Sequence, residues 1–465
     1  MKIWLTHFVI LCAATLVFTS CLSTDEEEYT FYDDAAITAF SVSSINVHSY
    51  VKDKEGKDSL VITKETGSDY KFYIDNIGGN IYNPDSLPYG TDAKHILVNI
   101  STKNGGFVRI KPTDSDNLED YTYYINTDSL DFSEARVMRV YSQSGVNVRT
   151  YNVKVNIHQE VGDTLLWHDA PAETAFTGFT AMRSVVCGDK VLVFGTDGTA
   201  TKVYATERNN GTAWSNTGAA FGADAYSNVV VKGDRMYLID GTTLCSSTSG
   251  NTWDYSTPAD LPARLVGAST KELYGIGADG KLMASRDNGA SWTAEELDED
   301  AALLPGSEIN YTCQPMATGK DMETVMIVGN NIAGNMTTAW TKIVDNSSLN
   351  SKDYPWTFVD SAGDTRYALP VLGNLSVFSY DGNAVAFGTK ADKTPNTILV
   401  SRDNGITWKA DKEYYFPTGF NGGVACTATV DADNVIWLVD GNSGKVWKGR
   451  INRLGWKEDN KVFLE

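Results

Sequence analysis

Histidine is scarce in this chain. Five occur in 465 residues, at positions 7, 48, 95, 158 and 168, and none follows 168. Residues 169–465 therefore cannot assemble a Ser-His-Asp or Cys-His group from their own side chains, nor a His-based zinc or iron site. Basic residues are also short: 39 Lys+Arg stand against 59 Asp+Glu, a net charge of −20. Nucleic acid is excluded as a partner, because displacing phosphate counterions needs clustered cations. A polybasic hold on an acidic membrane is excluded on the same ground. The apolar run Phe8–Phe18 stops after eleven residues, about half of the ~20 needed to cross a bilayer. No glycine-rich segment forms a P-loop or a dinucleotide fingerprint. Asp114-Ser115-Asp116 with Glu119-Asp120, and Asp298-Glu299-Asp300, lack the Gly and terminal Glu of an EF-hand loop and read as solvated loops. Six cysteines reduce to four once Cys12 and Cys21 are set aside. Cys187, Cys245, Cys313 and Cys426 read as buried thiols packed as small hydrophobes, with a disulfide left open in an exported chain. No catalytic residue, cofactor or metal site is assigned.

The amino terminus is more informative. Lys2 precedes the short apolar run, and small residues Thr19 and Ser20 precede Cys21. The arrangement fits a secretory leader. The segment resembles a bacterial lipobox, although Phe18 stands where that family usually has Leu. The resemblance implies a signal peptide over residues 1–20 and a lipidated Cys21, with the bilayer as partner. Residues 21–34 carry Asp25-Glu26-Glu27-Glu28 and read as an acidic tether, since like charges repel and stay solvated. An acidic stretch at that place also resembles the surface-export signal of Bacteroidetes lipoproteins. It implies an outer-membrane protein exposed at the cell surface, with the periplasmic face as alternative.

Beyond residue 29, long helical periodicity is absent and short alternating segments dominate, which predicts an all-β chain. Residues 35–160 offer seven strand candidates: Ile37–Val42, Leu60–Thr63, Tyr70–Ile74, His95–Ile100, Phe107–Lys111, Val137–Tyr141 and Val148–Ile157. That count suits a β-sandwich of immunoglobulin type, though the Cys…Trp…Cys spacing of antibody domains is missing. The order of Ala36-Ile37-Thr38-Ala39-Phe40, Gly78-Gly79-Asn80-Ile81-Tyr82 and Tyr141-Ser142-Gln143-Ser144-Gly145 resembles the Ig-like modules of Bacteroidetes surface lipoproteins. Such a module implies a spacer without catalytic residues.

Residues 164–458 contain an internal repeat. Ser285-Arg286-Asp287-Asn288-Gly289-Ala290-Ser291-Trp292 and Ser401-Arg402-Asp403-Asn404-Gly405-Ile406-Thr407-Trp408 share the pattern S-x-D-x-G-x-T-W. Looser copies run from Glu207 to Trp214, with Asn209 and Gly211, and from Ser246 to Trp253, with Gly250. The pattern resembles the Asp box of sialidases, sortilin-like receptors and photosystem-assembly propellers. Its chemistry is conformational: the Asp accepts backbone N–H groups in a tight turn, Gly takes positive φ, and Trp packs between sheets. Gly211, Gly250 and Gly289 are 39 residues apart, but Gly405 lies 116 beyond Gly289. Adding Trp167 and Trp356 gives six Trp units, at 167, 214, 253, 292, 356 and 408. Six apolar strands match them: Val191–Phe194, Met236–Ile239, Leu273–Ile276, Val325–Val328, Ala384–Phe387 and Val435–Val439. A six-bladed β-propeller follows, with seven blades as alternative. The strand at Trp167 is expected to close the ring beside Lys445–Ile451.

The function expected is that of a surface recognition module for glycan or protein ligands, with loops around one end of the channel as the binding face. Candidate ligand-binding residues are Arg183, Arg264, Tyr311, Arg366, Tyr414 and Tyr415. One alternative is a sialidase-like glycoside hydrolase, which that family runs with a Tyr nucleophile and Arg forks on the substrate carboxylate. The family's F-R-I-P segment is missing here. A structural role in an outer-membrane assembly is the third reading.

Overall fold

The computed structural model describes residues 31–52, 57–113, 117, 119–159, 161–209, 213–316, 319–347, 352–360 and 365–451. Cys21, Gly211 and Asp114–Asp116 lie outside the described residues. The chain divides into two compact units, with the boundary between Gln159 and Glu160. Strand is the dominant element throughout, and no helix among the described residues is long and apolar enough to cross a membrane.

The first unit opens with three strands: β1 (Ile37–Val42), β2 (Ser44–Lys52) and β3 (Asp58–Thr66). β1 pairs with Val98–Thr102, and β2 pairs with β3. A six-stranded sheet forms from Tyr73–Asp75, Asn80–Tyr82, Val148–Lys154, Arg136–Tyr141, Phe107–Ile110 and Thr122–Tyr123, in that spatial order. Its Asn80–Tyr82 and Val148–Lys154 strands run parallel. The core lies between this sheet and the β1 pair: Ile37, Phe40 and Val42 meet Val108, Met138, Val140, Tyr151 and Val153. Alternation sets which residues point inward. Arg136–Tyr141 buries Arg136, Met138 and Val140 while Val137, Arg139 and Tyr141 are only partly covered.

The second unit contains six four-stranded antiparallel sheets among the described residues. Their innermost strands are Ala181–Cys187, Val230–Lys232, Arg264–Ala268, Pro305–Pro315, Gly373–Tyr380 and Cys426–Val430. Each of these touches the next, and the sixth touches the first, so the sheets close into a ring around an axis. This is propeller architecture, in which radial closure removes long exposed edges. The second strand of every sheet is the most apolar. Lys190–Thr196 and Met322–Asn331 are buried almost throughout because a neighbouring sheet covers each face.

The ring is sealed by strand exchange. Leu165–Ala170, the first strand of the unit, pairs with Val446–Ile451 and supplies the outermost strand of the last sheet. Among the described residues, the third and fourth strands of sheets two, three and five are joined by turns of six or seven residues. The sixth has no such turn, because its fourth strand comes from the other end of the unit.

The six tryptophans obey one rule: each stands at or just before an outermost strand and packs against the preceding sheet. Trp214 meets Trp437 of the sixth sheet at 6.4 Å between ring centroids, and Trp253 meets Phe194 of the first at 6.2 Å. Trp292 joins Tyr237 and Leu244 of the second. Trp356 meets Tyr274 of the third at 5.0 Å. Trp408 joins Met326 and Val328 of the fourth. Trp167 lies against the cluster of Phe378, Val385 and Phe387 of the fifth. Burying an aromatic of this size contributes about 3–5 kcal/mol by the cost of truncating it.

Candidate functional site

The two strict repeats form closed turns. Asp287 Oδ1 accepts from Ser285 Oγ at 2.8 Å and from Ser291 N at 2.9 Å, and Oδ2 accepts from Ser291 Oγ at 2.5 Å. Gly289 N donates to Ser285 Oγ at 2.7 Å, and the Trp292 indole donates to Gly289 O at 3.1 Å. Asp403, Gly405 and Trp408 repeat this set with Ser401 and Thr407. Gly289 and Gly405 have φ of +91° and +94°, and a Cβ there would strike Leu244 and Met326 of the preceding sheet. In the looser second copy, Ser247, not Ser246, holds Gly250 N at 2.9 Å, and Trp253 donates to Gly250 O. In the first copy Trp214 donates to Pro171 O instead. Its Asn209 side chain has no described role. At the end of the third strand of sheet four, Asp345 takes the Asp's part by accepting Ser347 N and Lys352 N. Its Asp lacks the Ser, Gly and Trp spacing of the repeat, so the sequence pattern missed it. All of these atoms are satisfied within the fold.

The inner strands do not pair with one another by backbone ladders, so side chains satisfy their polar groups. Thr427 Oγ1 accepts Ser184 N at 2.9 Å, Ser376 Oγ accepts Ala428 N at 3.0 Å, and Asn310 Oδ1 accepts Val377 N at 3.2 Å. Along the axis these strands enclose a cavity of about 1000 Å³ whose wall draws on all six sheets. Two side chains cross it. Arg183 of sheet one donates to Ile309 O of sheet four, on the opposite side of the ring. The Tyr311 hydroxyl of sheet four donates to Val231 O at 3.0 Å and accepts Val231 N at 2.9 Å in sheet two.

Glu308 has an uncommon backbone conformation. Pairing of Pro305–Pro315 with Met322–Asn331 slips between Ser307 and Asn310, and Glu308 sits in that bulge with φ of +50°. A non-glycine residue there is strained, and bulges re-aim side chains. Its Oε2 accepts Leu375 N at 2.9 Å. Burial pushes its carboxyl above the usual range, opposed by the Leu375 N–H and by Arg183. Burial lowers Arg183, opposed by Glu308. Both border the lumen and so keep some exposed surface, yet protein surrounds them closely enough to desolvate their charge. Tyr226 also lines the cavity, raised by burial and then by Glu308. Asp224 and Asp240 complete its acidic wall.

Three of the six candidate ligand-binding residues meet at this cavity: Arg183, Arg264 and Tyr311. Arg264 spends its fork on Gly306 O at 2.7 Å and Pro305 O at 3.2 Å. Arg366 lies elsewhere, exposed beside the Tyr367 ring. Tyr414 is buried in the core of sheets five and six, its ring 6.2 Å from Tyr380. Tyr415 is 44% exposed, and its carbonyl accepts the Trp167 indole. Glu308, Tyr226, Asp224 and Asp240 were not singled out from sequence. The one signal for Glu308 was the Pro305-Gly306 pair, a mark of broken strand.

Cys187, Cys245, Cys313 and Cys426 are all free. Burial pushes their thiols up, to about 11 for Cys187 and Cys245 and about 12 for Cys426, which leaves them unreactive. No group of three or more His, Cys, Asp or Glu among the described residues is placed to hold a metal ion.

Residues 161–459 match the DUF6242 beta propeller domain, and residues 40–155 match the DUF6242 N-terminal domain. The chain belongs to the DUF6242 family. No curated protein matches it. Among solved structures, the DUF6242 chain is similar to the Hadza microbial sialidase Hz136, at 9% identity over 90% of this chain and 94% of that one, with a TM-score of 0.40. It is similar also to a Trichoderma reesei carbohydrate-active enzyme of family AA12, at 11% identity over 62% and 96%, TM-score 0.36. A third is the Penicillium chrysogenum alpha-L-arabinanase complexed with arabinobiose, at 10% identity over 62% and 98%, TM-score 0.35. Likeness this distant carries no chemistry across.

Proposed function

We propose that this protein is a surface recognition lipoprotein whose six-bladed propeller binds a glycan in its axial cavity. In this reading each four-stranded sheet is one blade, the tight turns are Asp boxes, and the N-terminal unit is an Ig-like spacer. The observation that carries it is the cavity itself. Its volume, about 1000 Å³, matches small-ligand sites. Asp224, Asp240 and Glu308 offer acceptors for sugar hydroxyls, and Tyr226 offers a ring. The acidic wall favours a neutral or amino sugar over a sialic acid, whose carboxylate it would repel. A glycan array with the full chain tests this. Binding that falls at least about tenfold in Tyr226→Ala and Asp224→Ala supports it; no binding to any sugar, or binding indifferent to both changes, overturns it.

Anchorage at the outer membrane through Cys21 belongs to the same proposal. It is supported by the short apolar run, the small residues before Cys21 and the acidic segment after it. Palmitate labelling that persists in Cys21→Ala would refute it.

Glycoside cleavage is a second reading, favoured by one observation: Glu308, half-buried on the cavity wall with its carboxyl pushed above the usual range, is suited to general acid work. Tyr311 does not serve as its nucleophile, since both sides of its hydroxyl are held by Val231 and burial pushes it up to about 12. Turnover of aryl glycosides by the wild type, abolished in Glu308→Gln, would establish this reading in place of simple binding.

A further inference from the structure

β2 and β3 leave the core of the N-terminal unit as an arm. Ile45 and Val47 at its base are buried, but Tyr50, Val51, Leu60, Val61 and Ile62 are 72%, 54%, 47%, 42% and 55% exposed. Among the described residues β3 pairs with β2 alone, so one long edge of it faces outward. An exposed nine-residue edge with three successive apolar residues is a template for another strand.

The hydrogen bonds of β2 fix which groups that edge presents. His48 N donates to Gly90 O and Asp92 N donates to Asn46 O, so the even-numbered residues of β2 face away from β3. The odd-numbered ones face it, and Gly67 N to Ser43 O continues that series. The register pairs Ser49 with Val61 and Val47 with Thr63, so the odd residues of β3 turn their backbone groups inward to β2. Asp58, Leu60, Ile62 and Lys64 therefore present theirs to the open edge. Antiparallel pairing of this edge with itself must match even residues to even residues.

Few registers satisfy that. Centred on Ile62, the pairing sets Lys64 against Leu60 and Ser59 against Glu65. Centred on Leu60, it sets Asp58 against Ile62. Centred on Val61, it opposes Asp58 to Lys64 of the second copy at both ends, Leu60 to Ile62 twice between them, and Val61 to Val61 on the axis. Opposite charges meet, and apolar residues meet apolar ones. We propose that β3 is a homodimerisation edge: two copies join antiparallel about Val61 into one four-stranded sheet. A foreign strand would need this charge order by chance, whereas a second copy carries it. The edge is smaller than a standard interface of about 1,200–2,000 Å², so association depends on local concentration.

Cysteine cross-linking in the full chain reads the register. Two Val61→Cys side chains face each other in a non-hydrogen-bonded pair with Cα atoms about 4.5 Å apart, within disulfide reach. Two Ser59→Cys side chains lie about 13 Å apart in the same register. Under mild oxidation, Val61→Cys is expected to give at least about ten times more disulfide-linked homodimer than Ser59→Cys or the wild type. Equal yields, no homodimer, or a cross-link only to another protein overturn the proposal. On the Val61→Cys background, Asp58→Lys is expected to cut the yield at least about fivefold, and adding Lys64→Asp to restore it. Failure of the restoration overturns it also, because a merely loosened arm would not be rescued by the exchanged charge.

Discussion

Asp287 shows how a single side chain holds a turn. Three donors from Ser285 and Ser291 converge on its carboxylate and hold its pKa at about 2, below the ordinary 3.8. The Ser291 hydroxyl contributes most, then the Ser291 N–H, then Ser285. A depressed folded pKa means that the unfolded chain takes up the proton first as pH falls. The stabilisation is therefore complete above about pH 4 and is lost as pH falls towards 2. Asp287→Asn should melt below the wild type by a constant interval from pH 5 to 7, with the two converging between pH 4 and 2. Melting temperatures measured across that range decide it. An interval that stays unchanged down to pH 2 would mean that the charge on Asp287 plays no part in the turn.

At the scale of elements, the seam between sheets three and four holds an ionic knot centred on buried Lys342, Glu272 and Glu295, with Arg286 and Asp353 at its exposed side. Lys342, 2% exposed, reaches Glu272 at 3.3 Å, Asp353 at 3.1 Å and Glu295. Arg286 binds Glu272 at 2.6 Å and Asp353 at 2.7 Å, and the Tyr274 and Trp356 side chains donate to Glu272 and Glu295. Replacing Lys342 by Ala leaves Glu272 and Glu295 buried with one cation fewer, and breaking such a pair costs about 3–5 kcal/mol. Urea unfolding of Lys342→Ala should show that loss, and Glu295→Ala in the same chain should return part of it. A loss below about 1 kcal/mol would mean that the site relaxes to admit water. None of this knot was legible in the sequence, because its members are spread over 82 residues from Glu272 to Asp353. The second strand of each sheet was legible, since double-sided burial writes a continuous apolar run such as Val191–Phe194. The outermost strands Thr293–Ala294, Thr357–Phe358 and Lys409–Ala410 are two residues long and carry no period to read. At the cavity, Arg183 and Arg264 stood out as arginines near the starts of sheets, and Tyr311 as a tyrosine able to face the same side. Glu308 did not, because its place depends on a bulge.

For the whole molecule, everything turns on the ring being shut by chain ends far apart in sequence. Trp167 hinted at this, as the tryptophan that precedes the first full sheet and has no sheet of its own. Leu165 is fully buried among Phe378, Val385, Leu438 and Ile451, so it ties the closing strand to sheets five and six. Truncating such a leucine costs about 2–5 kcal/mol. The cost should not spread evenly. Six pairs join Leu165–Ala170 to Val446–Ile451, and loosening one strand releases the other. In Leu165→Ala, amide hydrogen exchange should accelerate at 165–170 and 446–451 together, while amides in Arg235–Asp240, within the second sheet, keep their protection. If the two closing strands exchanged at unrelated rates, or if Arg235–Asp240 lost protection equally, the ring would not open at this seam, and closure would be a property of the inner strands alone.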